Sequence, residues 1–207
     1  MSQPPETLLI SLNGTTDLPA GKIASIVTSL EMTARPERRD DPPDTDGLAL
    51  APIAGDEIAR YLALYRQVGE PWLWFSRLLK PREEVTAILA DPAVSCFALR
   101  KDGRDAGLLE LDFRDEGEAE LAFFGLDSAA LGRGAGRWLM NRALALAWAR
   151  PIRRLWVHTC TLDHPDAVVF YRRSGFVPFR RGIEVVDDPR RVAGFPREAA
   201  PHHPVIG

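Results

Sequence analysis

Residues 123–140 read FFGLDSAALGRGAGRWLM. A strand-like apolar end runs into a short polar bend. Three glycines then alternate (Gly132, Gly134, Gly136), and a long apolar helical segment follows. A dinucleotide-binding loop needs Gly-x-Gly-x-x-Gly, but its third glycine would fall on Arg137. A nucleotide-hydrolase phosphate loop ends in Gly-Lys-Ser/Thr, and Gly136 is followed by Arg and Trp. Two readings remain. One is a plain strand-to-helix turn. The other is a cradle for the diphosphate of another cofactor. There, glycines without Cβ let main-chain N–H groups converge on phosphate, and the positive end of the following helix adds attraction. Arg133 and Arg137 would add charge.

The segments on either side set the fold class. "EAELAFFGL" before the glycines is a strand over 118–126, and a helix follows over about 134–149, stopped by Pro151. Upstream, "SCFALR" and "GLLELDF" are strands joined by the turn "KDGRD", with Leu109, Leu111 and Phe113 on one face. Helices are expected over 55–68 and, opening near Pro81, to about residue 90. Downstream, "RRLWVHTC" is a strand. A helix runs from Pro165 through Ser174, closed by Gly175, and "FVPFRRGIEVV" is strand-like. The class is α/β, a mixed sheet with helices on its faces.

Before this block, "GKIASIVTSLEM" is a strand, and "RPERRDDPPDTDG" (35–47) a linker or surface loop. Three regions are expected: an N-terminal extension (1–46), a main domain (47–187) and an irregular C-terminal tail (188–207). The N-terminal strand has no assigned partner and makes a homodimer plausible.

The 207 residues are 45% hydrophobic with a net charge of -3. This suffices for a real core and lacks the basic excess of a general nucleic-acid binder. No apolar run approaches the roughly 20 residues of a spanning helix, and the N-terminus lacks the basic start of a signal peptide. Cys96 and Cys160 form no CxxC pair. They read as reduced thiols of a cytoplasmic protein, with no metal site expected.

The glycine segment resembles motif A of the GNAT superfamily of acetyl-coenzyme A dependent N-acetyltransferases, Gln/Arg-x-x-Gly-x-Gly/Ala. It aligns on Leu131, Gly132, Arg133, Gly134, Ala135 and Gly136. "HPDAVVFYRRSGFVP" resembles motif B, with Ala167, Tyr171, Gly175 and Phe176 in register and His164 at the usual asparagine. The resemblance covers about residues 47–186. It implies a mostly antiparallel central sheet with helices on both faces, and acetyl-CoA as acyl donor. It implies transfer by direct attack of a primary amine, from a small molecule or peptide, in a ternary complex. A longer acyl donor, or a CoA-binding module without turnover, are the alternatives.

A lysine-like amine, of pKa about 10.4, must lose a proton before attack. The resemblance puts a base fourteen residues before Gly134, at Glu120, with Glu118 and Glu110 as fallbacks. Strand alternation would place Glu118, Glu120, Ala122 and Phe124 on one face. Tyr171, on the inward stripe Ala167, Phe170, Tyr171 and Ser174, is the expected acid for the thiolate. By resemblance the cofactor arm inserts where the next strand splays away, contacting Phe124, Gly125 and Leu126. Gly125 would mark a bulge whose amide serves as oxyanion donor. The cradle contacts would come from residues 131–137, His164 and Ala167. Trp72, Trp74 and Phe75 stand where the family covers its acceptor, as substrate-binding aromatics or as a core cap. His158 and Thr159 end a strand near the splay.

Overall fold

A computed structural model describes residues 7–132 and 134–206. Arg133 therefore lies outside the described residues. Seven strands form one sheet: β1 (Lys22–Met32), β2 (Leu48–Pro52), β3 (Val94–Lys101), β4 (Arg104–Asp112), β5 (Glu118–Leu126), β6 (Arg154–Cys160) and β7 (Val177–Asp187). Their order across the sheet is β2-β3-β4-β5-β6-β1-β7. All pairs are antiparallel except β5 with β6. A parallel pair needs a crossover, and the helix α3 (Ala135–Ala147) supplies it.

Alternation along the central strands sends side chains to two cores. Leu109, Leu111, Ala119, Leu121, Leu155 and Val157 pack under α3. Ala98 and Leu108 point the other way, against α1 (Ile58–Gly69) and α2 (Arg82–Ala90). Asp102 and Gly103, both at positive φ, close the β3–β4 hairpin as its sequence requires. α4 (Ala167–Arg173) buries Tyr171 and ends where Gly175 adopts φ 103.

The N-terminal strand is an interior member of the sheet. β1 lies between β6 and β7, pairing Leu30 with Val157 on one side and Ile26 with Ile183 on the other. Both its edges are filled within the chain, so the strand gives no ground for a homodimer. The proline-rich segment after it is also tied down. Asn141 donates to the Arg39 carbonyl (3.0 Å) and to Asp41 (2.7 Å), Arg142 pairs with Asp41, and Arg39 donates to the Arg173 carbonyl. This strap runs along α3 from Gly134 to Arg142.

The tail is mostly without regular structure but is packed onto the domain. It holds a short helix, α5 (Pro189–Val192), and folds back to bury Phe195 and Ala200 with Ile23, Leu73 and Leu162. The Arg190–Asp188 pair, nearly fully buried, secures it, and Arg190 also donates to the carbonyls of Ala199 and His203. Among the described residues, no helix is long and apolar enough to cross a membrane.

Candidate active site

The β5–β6 ladder holds only from Glu118–Glu120 against Arg154–Trp156. Beyond it the strands part, and a cleft of about 410 Å³ opens between residues 121–126 and 157–160. Among the described residues, no strand pairs with β5 on this side beyond Glu120. The cleft is a built gap in the sheet, with free backbone along one wall.

At one end lies the glycine turn. Gly132 and Gly134 have φ of 82° and 80°, which a side chain resists. At Gly134 a Cβ would also collide with Pro42 of the strap. Gly136 is already inside α3, and its missing Cβ leaves room beside Phe170 and Leu126 on the cleft wall. The three glycines thus do two jobs: the first two turn the chain, and the third keeps the wall thin. Arg137 stands in the first turn of α3. Among the described residues its Nε is buried without a hydrogen-bond partner, and burial with the like charge of Arg39 pushes its pKa down. An unpaired guanidinium nitrogen beside a helix N-terminus suits an anion such as a diphosphate. Leu131, half-exposed, lines the same end, as do Leu126 and Ala167.

Glu120 and His158 meet across the β5–β6 gap, the carboxylate 3.1 Å from Nδ1. His158 lines the cleft, whereas Glu120 sits behind it. The hydrogen bond His158 donates to Glu120, with the fields of Glu120, Asp163 and Glu184, lifts the His158 pKa against the opposing effect of burial. The fallback carboxylates are committed elsewhere. Glu118 pairs with Arg154 at 3.0 Å. Glu110 is fully buried, with Arg77 at 2.5 Å and the Tyr61 hydroxyl donating at 2.6 Å.

Two expectations about β5 are corrected. The bulge falls at Ala122, because the register passes from Glu110↔Phe123 to Leu111↔Leu121. Gly125 pairs regularly with Leu108; its missing side chain seats Val68 and Trp74, which a Cβ would strike. The bulge also reverses the alternation. Phe124 therefore joins Phe170 and Tyr171 under α3, while Phe123 faces Tyr65 and Trp74 on the α1 side. Glu120 and Phe124 do not share a face.

Tyr171 lines the cleft, buried among Phe124, Phe170 and Phe176, and burial drives its pKa well above 10. It stays a phenol at any working pH, as a proton donor must. Trp72, Trp74 and Phe75 also line the cleft, on a loop turned by Leu73 at φ 54°. Trp72 packs beside His164 and beside His202 of the tail. Sequence reasoning missed Asp163. Its carboxylate accepts from Trp74 Nε1 (3.1 Å), Thr159 Oγ1 (2.7 Å) and the Cys160 amide (2.9 Å), pinning the aromatic loop to β6. Its one local signal is position, three residues past the strand end, where an Asx side chain caps a turn.

A profile of the acetyltransferase (GNAT) family matches residues 58–176, more than half of the chain. The chain belongs to the GNAT family. As such it is an acyltransferase. A search of curated proteins finds no match. Solved structures resemble this GNAT protein at low identity. A Novosphingobium aromaticivorans protein assigned to the GNAT family is 16% identical, covering 82% of this chain and 68% of its own, with a TM-score of 0.56. An aminoglycoside acetyltransferase from an uncultured soil metagenomic sample, solved with sisomicin, is 15% identical (63% and 88% covered, TM-score 0.52). An acetyltransferase from Thermus thermophilus is 21% identical (67% and 96% covered, TM-score 0.50). At these identities the likeness is one of fold.

Proposed function

We propose that this GNAT protein transfers an acetyl group from acetyl-CoA to a primary amine by direct attack in a ternary complex. The parting of β5 from β6, with glycine cradle at one end and Glu120–His158 beside it, carries this reading.

Acetyl-CoA supplies the thioester carbonyl; the chain supplies the rest. The amides of the turn at Gly132 and Gly134, and Ala135, Gly136 and Arg137 at the head of α3, hold the diphosphate, with Arg39 nearby. The free backbone of Phe124, Gly125 and Leu126 pairs with the pantetheine arm, flanked by Leu131, His164 and Ala167. Arg133 belongs to the same motif. His158, backed by Glu120, accepts the proton of the attacking amine, so the carboxylate acts as base through the imidazole. An amide at the Ala122 bulge is the oxyanion donor. Tyr171 protonates the departing thiolate. Trp72, Trp74 and Phe75 cover the acceptor.

The test is thiol release from acetyl-CoA with a panel of amines. Glu120→Gln and Tyr171→Phe should each lower kcat by about 10²–10⁴ while CoA affinity stays within about threefold. A protein that binds CoA and releases no thiol with any amine would instead be a binding module.

A further inference from the structure

The acceptor end of the cleft has a composition that selects among amines. Register places its floor on the sheet face away from α3. Val27 lies opposite Cys160, Ser29 opposite His158, and Ser25 opposite Glu184, while Leu155 and Val157 point to α3. Val27, His158, Cys160 and Glu184 thus share one surface and line the cleft. The loop carrying Trp72, Trp74 and Phe75 covers it, and the tail packs behind Leu73 and Phe75.

The charges there have one sign. Asp163 and Glu184 line the cleft, Asp166 lies at its edge, and Glu120 stands behind His158. Among the described residues, no lysine or arginine lines it. Arg77, packed over the Phe123 ring at 5.0 Å, is spent on Glu110 and Tyr61. Arg180, opposite Ser29 on the same sheet face, is exposed and does not line the cleft. Part of the polar capacity of the walls is already used. Trp74 gives its N–H to Asp163, and Asp163 is filled by three donors.

From this we infer that the acceptor is a primary monoamine with an aromatic or otherwise apolar body and no carboxylate. The inference rests on the acetyltransferase reading above. The ammonium form is drawn in by the surrounding carboxylates and gives its proton to His158. The apolar body lies between Val27 and the indoles and phenyl ring of the loop. An α-carboxylate on the same molecule would be desolvated among like charges, with no lysine or arginine among the described residues lining the cleft to meet it. A polyhydroxylated polyamine would leave its hydroxyls against aromatic walls without partners.

The experiment compares phenethylamine with phenylalanine, which differs by one carboxylate, and with sisomicin, all at saturating acetyl-CoA. Phenethylamine should exceed both in kcat/KM by about 100-fold. Glu184→Gln should raise its KM about tenfold, leaving the KM for acetyl-CoA unchanged. Phenylalanine within tenfold of phenethylamine, or sisomicin as the best acceptor, overturns the inference and leaves the acetyltransferase standing. Where none of the three is turned over, calorimetry on the CoA complex decides: binding of phenethylamine and not phenylalanine upholds it, and no binding overturns it. Failure of acetyl-CoA itself to bind removes the underlying reading as well.

Discussion

In the proposed mechanism Glu120 and His158 divide one task between two strands. His158 reaches the cleft, and Glu120 sets how strongly it holds a proton. Its pKa is raised above 6.5, with the Glu120 hydrogen bond the largest cause. Protonated His158 cannot accept, so kcat should fall as pH drops through that raised value. Glu120→Gln removes the largest raising cause, so the acid limb of the pH–rate profile should move to lower pH. A limb that stays in place would mean that another group titrates. At this scale the sequence was partly legible. Gly132 and Gly134 stood out because only glycine turns so sharply at positive φ, and Tyr171 because it falls on a helical stripe. His158 was legible only as a strand end near the splay and Asp163 not at all, because their partners depend on which strand lies beside β6. Phe124 was placed on the wrong face because one extra residue at Ala122 reverses every side chain after it.

The elements of the α1 side are locked by an internal ion pair. Arg77, on the loop between α1 and α2, meets fully buried Glu110 of β4, and Tyr61 of α1 donates to the same carboxylate. Burial and the Glu110 charge hold the Tyr61 hydroxyl far from ionising. Arg77→Met would leave Glu110 buried without its cation. Urea denaturation should show a loss of about 3–5 kcal/mol. A loss below about 1 kcal/mol would contradict this view of the pair. From its sequence Glu110 read as a fallback base; the structure buries it in an ion pair instead. Nothing local reveals a buried partner more than thirty positions upstream. The helices themselves were legible, since Ile58, Tyr61 and Tyr65 follow the helical period and all three are buried.

Across the whole molecule, the N-terminal segment completes the sheet. β1 joins β6 to β7, and without it β7 has no sheet neighbour. Leu30 is fully buried in the main core, beside Leu155, Val157 and Phe176. Leu30→Ala should therefore cost about 2–5 kcal/mol in a denaturation experiment. A dispensable extension would show almost no change. The β-branched run of β1 made a strand legible, but its place was not, because its partners are more than a hundred residues away. The strap and tail were hidden for the same reason. Asp41, Arg142 and Arg190 are ordinary surface residues until the fold brings their partners near.

Hydrogen exchange with and without acetyl-CoA tests most directly whether the parted strands and glycine turn form one binding site. Protection should appear together at residues 124–126 on β5 and around Gly134 and Gly136, with little change in β2 or β3. Saturating acetyl-CoA that left both segments exchanging at their original rates would contradict it.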